Sequence, residues 1–253
     1  LLPFYDVFDE LRYFQPGTDL LCFKVKNKRI GVVICEDLWN DKDSDNYDVG
    51  KGPLVQYQKL GIDVLVSLNS SPYIQGKREA RFSRLLSIAK TIPNIVYVNQ
   101  VGGQDELVFD GNSFVIDNGN LAFVARDVFD NSYPIVDIGN AGSNITTPKR
   151  ERNSLQELEE IIVLGLRDYV EKSGFDQVTV ASSGGVDSAL VCKLACDAFG
   201  PQKVHALRMP SIYSSDDSKI DALELHKNLG CWDYEVPVAV SYTHLTLPTS
   251  DLV

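Results

Sequence analysis

Long apolar runs are missing from this 253-residue chain, and positive charge is scarce: 24 Lys and Arg stand against 35 Asp and Glu, a net charge of −11. No run approaches the roughly 20 apolar residues that span a bilayer, so no membrane segment is expected. So acidic a surface repels phosphate backbones, and nucleic-acid binding is disfavoured. A small phosphate ligand stays compatible, because loop N–H groups and metal ions act locally. Cysteine is sparse: Cys22, Cys35, Cys192, Cys196 and Cys231 are odd in number and too few for a disulfide scaffold. That usage points to a reducing, cytoplasmic setting. There, the acceptor-like triplets Asn69-Ser70-Ser71 and Asn144-Ile145-Thr146 carry no meaning as glycosylation sites. The opening Leu1-Leu2-Pro3-Phe4 has no Met, basic stretch or cleavage site, and reads as the interior of a domain rather than a signal peptide.

Apolar content of 44% and charged content of 23% are ordinary for a globular protein. Two α/β segments are expected. In the first, Arg29–Cys35, Asp63–Leu68 and Ile95–Asn99 are short β-branched runs of the kind buried on both faces of a sheet. Between the last two, Gly76–Thr91 places Phe82, Leu85, Leu86 and Ala89 at helical spacing, with Lys and Arg on the other face. Ser113–Asp117, Asn118-Gly119-Asn120 and Leu121–Val124 read as a hairpin. The polar stretch Gly139–Asn153 reads as a linker. Ser154-Leu155-Gln156-Glu157 then has the form of a capping box, and Gly174 supplies a stop. Gln177–Ser182, a glycine loop, a helix over about 187–199 and Val204–Met209 form the strand-loop-helix-strand opening of a parallel sheet.

Cys35-Glu36-Asp37-Leu38-Trp39 directly follows one of the apolar strands. A thiol at a strand's carboxyl end can project into a crevice where α/β enzymes place chemistry. From position alone, a small buried core cysteine is the commoner reading. The string Cys-Glu-Asp-x-Trp resembles the nucleophile turn of nitrilase-superfamily amidases, and more specifically the glutaminase domain of the NAD synthetase family. Supporting stretches are Leu2–Phe14, Asn69–Tyr73 with Gly76-Lys77, and Asn99–Leu107 with Phe109-Asp110-Gly111. Their order and joint presence carry the resemblance over about residues 1–238. It implies a Glu–Lys–Cys triad with Cys35 as nucleophile and Glu10 as a second, orienting glutamate. Tyr5, Glu36, Trp39, Ser71 and Lys77 fall where it places the glutamine pocket. Packing remains an equal reading for Tyr5 and Trp39, and a solvated charge for Lys77. The triad Glu and Lys would lie ahead of Leu1, so the resemblance implies a chain inactive as it stands.

Ser183-Gly184-Gly185-Val186-Asp187-Ser188 lies between a strand and a helix start. Two glycines can turn N–H groups toward one point, and the helix N-terminus adds partial positive charge. The geometry suits pyrophosphate, although no Lys follows the glycines as in a Walker A loop. A capped glycine turn is the plainer reading of the Gly-Gly pair alone. The full string resembles the ATP pyrophosphatase signature. Met209-Pro210-Ser211, Tyr213-Ser214-Ser215, Asp221-Ala222 and Asn228-Leu229-Gly230 point to its NAD synthetase branch. By resemblance, Ser183, Gly184, Gly185 and Ser188 hold ATP phosphates, Asp187 helps bind Mg2+, and Arg208 lies near the nucleotide. Ala181-Ser182 stands where Gly-Leu is commoner.

The expected architecture is therefore α/β: a partial nitrilase-like α/β sandwich (1–140), a linker (141–153) and the start of a Rossmann-like, adenine nucleotide alpha hydrolase-like, doubly wound parallel sheet (154–238). The resemblance implies glutamine, ATP and deamido-NAD as substrates and a homo-oligomer for the complete protein. Rival readings are a stand-alone nitrilase-type amidase, another amidotransferase with the same ATP loop, and a non-catalytic binding protein. Cys192 and Cys196, one helical turn apart, are read as core residues because two thiols alone make a poor metal site. His205 and His226 receive no role. Val240–Thr249 reads as an in-frame translation of a transposase adapter used in sequencing libraries. The native sequence is accordingly expected to end near Val238, with 239–253 a non-native tail.

Overall fold

The computed structural model describes residue 2 and residues 4–5, 8–39, 52–125, 135–139 and 154–238. Most of the linker and the whole of 239–253 lie outside the described residues, as do the side chains of residues 4, 5 and 8. The chain divides into two compact units, residues 1–102 with 107–158, and residues 103–106 with 159–253. No helix among the described residues is long and apolar enough to cross a membrane.

The first unit begins with the short pair β1 (Phe4–Tyr5) and β2 (Phe8–Asp9). Its main elements are β3 (Leu21–Val25), β4 (Lys28–Ile34), α1 (Pro53–Leu60), β5 (Val64–Asn69), α2 (Lys77–Ala89) and β6 (Ile95–Asn99). The hairpin β7 (Val101–Gln104) and β8 (Leu107–Asp110) and the pair β9 (Phe114–Asp117) and β10 (Asn120–Val124) follow. Six strands form one sheet in the order β10-β9-β6-β5-β4-β3. Its centre, β4-β5-β6, is parallel, and both flanks are antiparallel. The hairpin turn is shorter than the sequence suggests: Asn120 pairs with Asp117, leaving Asn118 and Gly119 at φ 49° and 79°. Two consecutive positive φ values are what a two-residue type I′ turn requires.

Register separates the two faces of the parallel centre. Val33, Leu65, Ile95 and Tyr97 are buried against Leu54 and Tyr57 of α1 and Leu85, Ile88 and Ala89 of α2. The opposite face is partly open. Ile34, Leu68 and Val98 align across it and are 64%, 47% and 43% exposed. The expectation of strands buried on both faces therefore holds on one side only, because α1 and α2 both pack against that side. Helix α2 also departs from its pattern. Leu86 is exposed, Phe82 stacks on Phe114 at 4.5 Å, and Arg81 is 1% exposed.

The second unit contains α3 (Ser154–Lys172), β11 (Val178–Ala181), α4 (Val186–Phe199), β12 (Val204–Arg208), α5 (Asp216–Leu229) and β13 (Trp232–Glu235). The three strands are parallel and adjacent in chain order, as a strand-helix-strand unit dictates. Ser154 is the first described residue of α3, and the residue before it lies outside the described residues. Gly174 does end α3: its N–H donates to Glu171 O and that of Phe175 to Val170 O, the paired bonds of a Schellman stop. Val180, Ala195, Val204 and Ala206 form the core with Cys192 and Cys196.

Candidate active site

Three adjacent parallel strands bring their carboxyl ends to one edge of the first sheet. Ile34 pairs with Leu68, and Asn69 with Asn99, so Cys35 follows β4 at the level of the Asn69 and Asn99 strand ends. Cys35 has φ 38°, an uncommon value for a residue with a Cβ. The turn is braced locally. Ile34 N–H donates to Asp37 Oδ2 at 2.9 Å, Trp39 N–H to Glu36 O at 3.0 Å, and Arg84 Nε to Leu38 O at 2.7 Å. A positive φ held by such bonds re-aims the side chain away from the strand's alternation.

Burial pushes the Cys35 thiol above its ordinary pKa; the Ser70 backbone N–H opposes that rise, Glu36 adds to it, and Lys77 and Arg81 oppose it. Lys77 begins α2. Burial first, then Arg81, lowers its pKa, while Cys35, Asp110 and Glu36 raise it. The two groups thus share one electrostatic environment. Glu36 is 7% exposed.

Behind the thiol lies a buried polar network. Arg81 donates through one nitrogen to both carboxylate oxygens of Asp110 at 2.9 Å. Its other terminal nitrogen donates to Ser71 O at 2.9 Å, Ser71 Oγ at 3.1 Å and Pro72 O at 3.2 Å. Asn99 accepts from Ser71 N–H at 2.9 Å and donates to Ser71 O at 3.2 Å, and Asn112 donates to Asp110 at 2.7 Å. The Tyr97 phenol, hydrogen-bonded to Ser71, is held strongly protonated by burial. The Arg81 and Asn99 links fix Ser71 and Pro72, beside Ser70, whose backbone N–H reaches the thiol.

Of the residues singled out in the sequence, Cys35, Glu36, Ser71 and Lys77 gather here. Trp39 packs against the hydrophobic core. The side chain of Tyr5 lies outside the described residues. Glu10 has a buried Oε2 without a hydrogen-bond partner among the described residues, and no bond recorded for it reaches Cys35. Sequence reasoning missed Arg81, which looked like one more solvated charge of a basic helix face. Asp110 and Asn99 lay within the quoted stretches, but nothing in the sequence showed that they converge.

In the second unit, Ser183–Gly185 connects β11 to α4. Ser183 N–H donates to Ser188 Oγ at 3.1 Å, the two hydroxyls lie 3.1 Å apart, and Ser188 Oγ donates to Gly185 O at 2.9 Å. Gly184 has φ 84°, and a Cβ there would lie 2.2 Å from Ser218 O. Only glycine satisfies both the backbone sign and the close approach of the chain at α5. Gly185 N-caps α4 with no side-chain cap, so the first-turn N–H groups remain available. Asp187 is exposed in that first turn, with no hydrogen bond or ion pair recorded among the described residues. Arg208, at the end of β12, is held by Asp233 at 2.7 and 2.8 Å and by Glu235 at 2.6 Å. His226 Nδ1 lies 2.6 Å from the same Asp233. Arg208 and His226 together hold the Asp233 carboxyl down at about 2, Arg208 contributing more.

A family model described as NAD synthase matches residues 158–248. With the parallel sheet and the Ser183–Ser188 loop, that match defines the second unit as the opening part of an NAD synthase domain in a mixed α/β protein. Over nearly its whole length the chain is a homologue of glutamine-dependent NAD(+) synthetases. It is 40% identical to the one from Synechocystis sp. over 94% of this chain and 44% of that protein. It is 39% identical to that of Acinetobacter baylyi, over 90% of this chain and 41% of that one. The solved glutamine-dependent NAD+ synthetase of Acinetobacter baumannii, in complex with ADP, superposes with a TM-score of 0.78 at 37% identity, covering 96% of this chain and 45% of that one. The chain therefore spans a little under half the length of these relatives.

Proposed function

We propose that the complete protein is a cytoplasmic, homo-oligomeric glutamine-dependent NAD synthetase, and that the chain carries its glutaminase nucleophile and its ATP loop. The observation that carries this reading is the presence of two distinct sites in one chain: a half-buried thiol at the carboxyl edge of a parallel sheet, and an open glycine loop at a helix N-terminus. The homology to glutamine-dependent NAD(+) synthetases supports it.

In the first site, the Cys35 sulfur attacks the carboxamide carbon of glutamine. A C–S bond forms and the carbonyl oxygen becomes an oxyanion, which backbone N–H groups and a Lys ammonium can stabilise. Collapse breaks the C–N bond, and ammonia leaves with the proton taken from the thiol. Water then cleaves the thioester, giving glutamate and restoring the thiol. Tyr5, Glu36, Trp39, Ser71 and Lys77 line the glutamine pocket in this reading, and Glu10 orients the machinery. In the second site, a nicotinate carboxylate oxygen of deamido-NAD attacks the α-phosphorus of ATP, and pyrophosphate leaves. Ammonia attacks the adenylated carboxyl carbon, and AMP departs with NAD formed. Ser183, Gly184, Gly185 and Ser188 hold the phosphates through N–H and hydroxyl donors. Arg208 lies near the nucleotide in this reading. The carboxylate of Asp187, exposed and without a partner among the described residues, fits a Mg2+ ligand, and the bound ion would neutralise pyrophosphate charge. The ADP carried by the Acinetobacter baumannii relative is in keeping with this assignment.

The test uses the complete protein. Cys35→Ala should abolish glutamine-dependent NAD formation and leave ammonia-dependent formation intact. Asp187→Asn should suppress synthesis from both nitrogen sources while glutamine hydrolysis persists. Glutamine-dependent turnover in Cys35→Ala would refute the assignment of the first site, and undiminished synthesis in Asp187→Asn that of the second.

A further inference from the structure

The second unit contains a cluster that neither site uses. Cys192 and Cys196 stand one turn apart on α4, and the chain returns after α5 to place Cys231 beside them. The three Sγ atoms lie within 4.8 Å of one another. The sequence offered two thiols; the fold adds the third. Cys192 is 0% and Cys196 8% exposed, and Cys231 is half-buried. Around them are Val180, Ala195, Val204 and Ala206, with Leu225 and Leu229 packed alongside. The setting is aliphatic, yet three weak S–H donors converge in it. Besides one another, the partner recorded for them is His226 O, 3.8 Å from Cys231 Sγ. Without a cation, burial keeps the Cys192 and Cys196 thiols protonated, at about 12 and about 11.

Three sulfurs bound to one tetrahedral zinc at about 2.3 Å stand roughly 3.8 Å apart. Small rotamer adjustments bring sulfurs already within 4.8 Å to that separation. Thiolate donors select soft or borderline d10 cations. The segment bearing Cys231 is firmly placed: Gly230 caps α5 in the left-handed conformation at φ 73°, and its N–H donates to His226 O at 2.9 Å.

We propose that Cys192, Cys196 and Cys231 form a structural binding site for a thiophilic d10 cation of the Zn2+ class, tying α4 to the α5–β13 connection. Binding forms three metal–sulfur bonds and releases three protons, leaving the fourth position to a water or a small ligand. No electron is transferred. Because those protons must leave, occupancy rises with pH.

The test is Zn2+ uptake by the 253-residue chain under a non-thiol reductant, followed with a competing chromophoric chelator. The chain should take up one equivalent, and Zn2+ should protect Cys231 and Cys196 from alkylation as read by peptide mass spectrometry. Cys231→Ser should abolish both effects, while Cys22→Ser should change neither. Cys231 is half-buried, so its variant can be checked for folding by circular dichroism, and Cys192→Ala repeats the loss without adding a hydroxyl. Saturable uptake persisting in both variants would overturn the proposal. So would the absence of uptake, or unchanged alkylation with Zn2+ present.

Discussion

Replacing Arg81 with Ala isolates the network behind Cys35. The Arg81 and Asp110 side chains are 1% and 2% exposed. Truncating Arg81 leaves the Asp110 carboxylate buried, with Asn112 at 2.7 Å and Asn99 at 3.5 Å as its recorded partners. It also removes the donor to Ser71 O, Ser71 Oγ and Pro72 O. Removing one member of a buried pair costs about 3–5 kcal/mol, mostly as the penalty on the charge left behind. With urea m-values of roughly 1–3 kcal/mol/M, the midpoint of the first unit should fall by roughly 1–5 M. Trp39 packs on that unit's core, so its fluorescence reports the transition, and Trp232→Phe silences the second unit. The double variant Arg81→Met/Asp110→Leu should recover much of the loss, because it removes the stranded charge. A shift in Arg81→Ala no larger than that of an ordinary surface substitution, about 0.5 kcal/mol, would refute the reasoning.

Lys77→Met removes a cation that lowers the pKa of Cys35, so iodoacetamide labelling of Cys35 should shift to still higher pH; an unchanged labelling profile would separate the two groups. Gly184→Ala forces a Cβ to within 2.2 Å of Ser218 O at a φ of 84°, and should cost about 1–2 kcal/mol from the backbone alone, with ATP affinity of the complete protein falling further. Wild-type ATP affinity in that variant would show that the loop tolerates displacement. Asp233 has a depressed folded pKa of about 2, so its stabilising effect is present above the unfolded carboxylate value and is lost as pH falls from about 4 toward 2. Asp233→Asn should therefore lower stability at neutral pH and flatten that acid limb in a pH series of urea titrations; an unflattened limb would place the effect elsewhere.

The sequence by itself determined most of the local structure. β-branched runs set β4, β5 and β6, a glycine stop ended α3, and the Ser183–Ser188 string marked the turn from β11 into α4. These features are written in neighbouring residues, because propensity, capping and turn chemistry act over a few positions. The Cys35 turn and the Ser183–Ser188 loop were legible as candidate sites for the same reason: each is a short contiguous string. Tertiary structure decided what depends on distant residues meeting. Arg81 looked solvent-facing until the chain carried Asp110 to it from 29 residues away. The two thiols of α4 had no third partner until α5 returned Cys231 to their side. The open row of Ile34, Leu68 and Val98 shows the same limit, since apolar residues alone do not say which sheet face the helices cover. Burial and charge pairing are properties of whatever packs opposite a residue, and sequence periodicity states only that something apolar or charged faces one way.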